Sequence, residues 1–242
     1  MIRTLLFSLV AVISTTFFSF VSVVGGLLGA PKGLHDWVHR RWSASLLHAA
    51  GVRVRAGGLR HIRRDGPQIF VSNHQSMFDI WALMTCLPVS IRFVAKEELS
   101  RIPLFARACR SAGHVFIDRG DRTGAIRRMQ EAGKRMDREN LSLGLFPEGT
   151  RSPDGRLQPF KKGTFVLAIE TQAPLVPVAV DGGARILPKG KRRVVPGTLD
   201  VRFGSPIPTR GLTIEDRDTV LELTRSAIEE LLAELRATSG PE

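Results

Sequence analysis

The sequence predicts an α/β fold: a mixed, largely buried sheet flanked by helices, behind an N-terminal hydrophobic, membrane-anchoring helical segment. Three observations carry this. Short β-branched apolar runs alternate with stretches of helical period from residue 68 to residue 238. Hydrophobic residues make up 43% of the 242 and charged residues 24%, enough apolar surface for a sizeable core. Residues 4–31, "TLLFSLVAVISTTFFSFVSVVGGLLGAP", hold no charge at all. The length suits one domain and an appendage, divided as residues 1–50, anchoring and interfacial helices, and residues 51–242, an α/β domain.

The charge-free stretch comes first. As a helix, residues 4–30 reach about 40 Å at ~1.5 Å per residue, more than the ~30 Å hydrocarbon layer. A secretory signal has a shorter apolar region, of about 7–15 residues, so the segment reads as a retained anchor. Gly25 and Gly26 leave a second geometry open, a re-entrant hairpin instead of a span. Lys32, Arg40, Arg41, Arg53 and Arg55 follow the anchor and only Arg3 precedes it. The positive-inside rule therefore puts the downstream domain in the cytoplasm.

Residues 34–50 read as a helix closed by Gly51, with Leu34, Val38, Trp42, Leu46 and Ala49 on one stripe. His35 and His39 have the i, i+4 spacing of zinc ligands, but Asp36 stands where HExxH has glutamate and no third ligand is evident, so no metal is expected. Downstream, "QIFVS" (68–72) predicts a strand, "MFDIWALMTCL" (77–87) a helix stopped before Pro88, "IRFVA" (91–95) a strand and "HVFID" (114–118) another. A basic helix follows over 121–139, then the strand "LSLGLF" (141–146), the turn-rich "PEGTRSPDG", the helix "TFVLAIETQ" and the strand "LVPVAV", whose proline suits an edge or a strand end. Residues 192–203 read as a hairpin through "PGT", and 216–238 as a final helix.

The formal charge of +12, from 35 Lys+Arg against 23 Asp+Glu, suits polyanionic partners. Nucleic acid is not the expected one, because the chain has no tyrosine and no aromatic–basic interleaving. No two glycines are spaced i, i+2 and no GxxxxGK[ST] occurs, which excludes the dinucleotide and P-loop signatures. Cys86 and Cys109 form no CxxC and read as reduced packing residues.

"SNHQSMFD" (72–79) permits two readings. Ser76 as N-cap with Asp79 at N3 is a capping-box arrangement, which accounts for both without chemistry. It does not account for His74, at a strand-to-helix turn of the kind on which α/β sheets build sites. On a continuous helix, positions i and i+5 lie about 140° apart. With the helix starting at Met77, His74 is free to fold back so that Asp79 accepts from one ring nitrogen and the other takes a proton.

"NHQSMFD" resembles the NHxxxxD block of the glycerolipid acyltransferases. "GHVFIDRG" (113–120), "FPEGTRS" (146–152) and "VPVAV" (176–180) are similar to that family's later blocks, in the same order. "FKKGTF" (160–165) and "AKEEL" (95–99) look like its bacterial lysophosphatidate-acylating members. The resemblance implies transfer of a fatty acyl group from acyl-CoA or acyl carrier protein to lysophosphatidic acid, giving phosphatidic acid; another lysolipid, such as a lyso-ornithine lipid, would share the same blocks. It implies His74 as general base and Asp79 as its orienting carboxylate. Arg119 and Arg151 would grip the phosphate. Glu148 would orient an arginine or accept from a glycerol hydroxyl, and Gly149 would let the backbone approach closely. Lys96, Lys161 and Lys162 are secondary candidates for drawing in phosphate or coenzyme A. No cofactor and no nucleic acid are implied. The implied setting is among membrane lipids of the bacterial inner membrane, with the catalytic domain on the cytoplasmic face.

Overall fold

The charge-free N-terminus folds as one uninterrupted helix, α1 (Ile2–Leu27), and α2 (Lys32–Ala50) packs back against it. Gly25 and Gly26 do not break α1. Gly25 is where Leu34 of α2 packs so close that a Cβ would collide with it, and the chain turns at Gly29, in the left-handed region. The computed structural model describes residues 2–118 and 120–238.

The apolarity of α1 is inverted. Its protein-facing side is small and polar, with Ser14, Ser19, Ser22 and Gly25 buried, while Leu5, Leu6, Leu9, Val12, Ile13, Phe17 and Phe20 are each more than half exposed. Small residues let the backbones approach, as in helix packing within lipid. Both ends are tied down: Val194 N donates to Thr4 Oγ1 (3.3 Å), and Ser22 Oγ donates to Ala108 O (3.3 Å). Over the ~27 Å between them, α1 lies along the domain instead of projecting from it.

The remaining elements are β1 (Val52–Gly57), β2 (Ile69–Ser72), α3 (Met77–Cys86), β3 (Ile91–Lys96), α4 (Pro103–Ala112), β4 (Val115–Ile117), α5 (Arg122–Glu139), β5 (Ser142–Leu145), α6 (Gly163–Thr171), β6 (Leu175–Asp181), α7 (Gly183–Ile186), β7 (Gly197–Phe203) and α8 (Arg217–Thr238). Seven strands, counted among the described residues, form one sheet in the order β1-β7-β6-β2-β5-β3-β4. The five from β6 to β4 are parallel, and β7 meets β6 antiparallel with β1 parallel beside it. Every residue of β2, β5 and β6 is buried, as expected of strands covered on both faces. On one face α2 and α3 bring Leu46, Phe78 and Leu83 against Phe70 and Val178. On the other α5, α6 and α8 bring Met136, Phe165 and Ile228 against Ile69 and Val71.

Two expectations need correction. Residues 192–203 are not a hairpin: only 197–203 form a strand, and it pairs with β6, the strand before it, and with the distant β1. The proline of "LVPVAV" marks neither an edge nor a strand end, since β6 is interior. Pro177 sits just before the ladder to β7 begins at Val178, where its carbonyl accepts from Gly204 N and no N–H is required of it. Beyond the expected elements the chain forms β1 and the short helices α4 and α7. The residues of the H-D-x-x-H spacing seat α2: His35 Nδ1 meets Ser22 Oγ, Asp36 accepts from the buried Arg92 (2.7 Å), and His39 meets His114.

Candidate active site

Strands β2 and β5 are parallel neighbours, so the loops that follow them emerge side by side. The chain leaves β2 for α3 on one face and β5 for α6 on the other, which opens a crevice between the two loops. His74 and Asp79 stand at that crevice.

Asp79 belongs to both readings of its sequence at once. As the N3 carboxylate of a capping box it accepts from Ser76 N (2.8 Å), and the same Oδ2 accepts from Gln75 N (2.6 Å) and from His74 Nδ1 (2.9 Å). Asp79 is fully buried. An ionised carboxylate only accepts, so opposite one Nδ1 would carry the imidazole proton and Nε2 would be left with a free lone pair. His74 stacks on Phe146 from the β5 loop, centroids 4.0 Å apart, and its carbonyl accepts from Ser152 N (2.7 Å). Asn73 pins the turn from beneath: its amide donates to Val180 O and accepts from Val180 N, both at 2.8 Å, as a strand residue would.

Glu148 braces the loop after β2 against its own loop. Its two oxygens accept from His74 N (2.8 Å) and Gln158 N (3.2 Å), and it is 4% exposed. Burial pushes its carboxyl up to about 7, against the pull of those two N–H groups. Gly149 likewise shapes the loop. Its φ of +68° suits glycine, and a Cβ there would stand 2.9 Å from the Lys161 ammonium, which lies over it. Lys162, by contrast, pairs with Asp218 on the far side of Phe160. Arg119 lies outside the described residues.

His74 and Arg151 open onto one cavity of about 450 Å³ between the sheet and the α1–α2 pair. Lys96 and Lys189 also line it, and Phe18, Trp42, Ile80, Met84 and Phe105 make its body apolar. Arg151 forms no ion pair among the described residues, so its guanidinium is available to an anion. Lys96 pairs with the exposed Glu98. Sequence reasoning missed two contributors. The i, i+4, i+8 stripe on α2 gave the helix, but not that Val38, His39 and Trp42 would wall a cavity. Nor did it single out Gly183, the first residue of α7. A Cβ on Gly183 would lie 2.5 Å from Asp79 Oδ1, so only glycine leaves room for the carboxylate.

No hydroxyl or thiol among the described residues bonds to His74. Burial pushes the thiol of Cys109, on the cavity wall, up to about 12, so it is not a ready nucleophile. A His–Asp pair with no protein nucleophile bonded to it among the described residues is an arrangement able to act on a bound molecule directly. Comparison with known proteins makes the class specific. A family model described as Acyltransferase matches residues 53–181, and the chain belongs to that family. It is 35% identical to human 1-acyl-sn-glycerol-3-phosphate acyltransferase alpha over 190 residues, which covers 78% of this chain and 67% of the human one. To the 1-acyl-sn-glycerol-3-phosphate acyltransferase of Limnanthes douglasii it is 37% identical over 173 residues, 72% of this chain and 61% of the plant one. The crystal structure of the 1-acyl-sn-glycerophosphate (LPA) acyltransferase PlsC from Thermotoga maritima superposes with a TM-score of 0.79 at 29% identity, covering 95% of each chain.

Two outcomes follow from this geometry. Gly183→Ala should displace Asp79 and with it His74, lowering kcat by roughly 10²-fold while KM changes little; an unchanged kcat would remove Gly183 from the support of the pair. Glu148 binds its proton more tightly folded than unfolded, its ordinary value being 4.5. The stability it contributes is therefore full below about pH 4.5 and lost as pH rises through about 7. Denaturant unfolding of the wild type should weaken over that interval relative to Glu148→Gln, and a difference independent of pH would contradict the assignment.

Proposed function

We propose that this chain transfers a fatty acyl group from a thioester of coenzyme A or acyl carrier protein to the sn-2 hydroxyl of lysophosphatidic acid, releasing phosphatidic acid. One observation carries the reading: His74, held by Asp79, and Arg151 line the same largely apolar cavity. His74 Nε2 takes the proton of the acceptor hydroxyl as its oxygen attacks the thioester carbonyl carbon. The tetrahedral intermediate collapses with cleavage of the C–S bond, and the thiolate leaves with the proton held on Nε2. Asp79 stabilises the imidazolium between these steps. Base assistance of this kind is worth ~10²–10⁴-fold. Arg151 holds the acceptor phosphate, and the cavity body takes hydrocarbon. The proposed cycle draws its proton transfer and charge stabilisation from side chains and uses no cofactor.

The exposed face of α1 supports a seat in a bilayer. Full burial of a large apolar side chain is worth ~1.5–3 kcal/mol, so seven of them, half exposed, gain on the order of 5–10 kcal/mol in lipid. With both ends of α1 held by the domain, the proposed arrangement is a helix lying in one leaflet, on the cytoplasmic face of a bacterial inner membrane.

Purified enzyme given labelled acyl donor and a panel of lysolipids should turn over lysophosphatidic acid best; preference for an acceptor without phosphate, such as a lyso-ornithine lipid, would overturn the assignment. Arg151→Ala should raise KM for lysophosphatidic acid about 10- to 100-fold, the worth of a charge-assisted hydrogen bond, with kcat less affected. An unchanged KM would take Arg151 out of the phosphate site.

A further inference from the structure

Between Asp181 and Asp200 the chain carries Arg185, Lys189, Lys191, Arg192 and Arg193 and no acidic residue. Arg185 pairs with Asp181, whereas Lys189, Lys191, Arg192 and Arg193 stand exposed on the loop between α7 and β7. The loop is held in place. Leu187 O accepts from Ser76 Oγ (3.0 Å), Lys191 N donates to Pro188 O (3.1 Å), and Val195 N donates to Ile186 O (2.9 Å). At one end Lys189 Nζ donates to Thr150 Oγ1 (3.0 Å) on the rim of the cavity. At the other Val194 N donates to Thr4 Oγ1, where the exposed apolar face of α1 begins. Arg3 lies over Gly51 next to Pro196 and adds a further cation there. A basic loop held at both ends thus joins the cavity lining to an apolar helix face. Cations edging a half-sunk apolar surface meet lipid headgroups, and they favour negative ones.

We propose that residues 189–193 are a docking surface for an anionic bilayer, which presses the cavity mouth against the headgroup layer. The surface is separate from the reaction: it reads the charge of the membrane, and the substrate phosphate is left to Arg151. The apolar face of α1 supplies binding to any bilayer, and the loop supplies the preference for negative charge. Each basic residue near such a surface is worth about 5-fold in partition, so removing three should cost roughly 100-fold on anionic lipid.

The test uses the full chain with Lys191→Gln, Arg192→Gln and Arg193→Gln combined, leaving Lys189 at the cavity rim intact. Partition is measured by co-sedimentation with vesicles of phosphatidylcholine alone and of phosphatidylcholine with about one third phosphatidylglycerol, at near-physiological salt. The wild type should prefer the anionic vesicles and the triple variant should lose that preference, both binding phosphatidylcholine equally. Turnover of lysophosphatidic acid in neutral detergent micelles should be the same for both, which separates this inference from the proposed reaction: failure of both proteins there would sink the reaction and leave the partition result standing. Equal partition of wild type and variant would overturn the docking surface, as would a variant that lost turnover in micelles. Tight binding of duplex DNA at the same salt, without a preference for anionic vesicles, would assign the loop to nucleic acid instead.

Discussion

One carboxylate oxygen organises the site. Asp79 Oδ2 accepts from two backbone N–H groups at the start of α3 and from the ring of His74. The helix cannot begin elsewhere without releasing the imidazole, and the imidazole cannot turn without uncovering a buried charge. A buried carboxylate without partners is strongly disfavoured, and the three donors and the positive end of the helix supply them here. The tautomer that leaves Nε2 basic follows from the same contact. The helix start and the contact with His74 thus have the same cause, one oxygen shared between the capping box and the imidazole.

The surrounding struts hold that oxygen against the second loop. Glu148 and Ser152, after β5, bond to the backbone of His74, and Phe146 stacks on its ring. Asn73 extends the β6 ladder by one side chain. Gly183 closes the open side by having no side chain. Each contact joins chain segments far apart in sequence, and the parallel order β6-β2-β5 brings all of them to one edge.

That separation decides what could be read from the sequence. Strands β2 through β6 and helices α3, α5, α6 and α8 were legible because each carries its own period and ends at its own turn residue. The pairing of β7 was not: a local "PGT" suggested a hairpin within 192–203, whereas the strand pairs with β6 beyond the α7 loop and with β1 near residue 52. Within the site, the contact of His74 with Asp79 was open to the sequence because a helix start at Met77 lets residue 74 fold back over the first turn, while the chemistry assigned to the pair came from the resemblance. Glu148 could be singled out, but its bonds to the backbone could not be foreseen, because whether a carboxylate meets a backbone N–H depends on a loop 74 residues away. The cavity wall from α1 and α2 had the same difficulty. An anchor reads as a length of apolar chain, and nothing local in "STTFFSFVS" shows which serines turn inward.

The central claim, that the imidazole of residue 74 is the base, is tested most directly by single-turnover acyl transfer with purified His74→Ala, its fold verified by cooperative unfolding. Loss of the full general-base contribution, ~10²–10⁴-fold in the rate of the chemical step, is the predicted result. A folded variant that transferred the acyl group at close to the wild-type rate would contradict it, and the hydroxyl proton would need another acceptor.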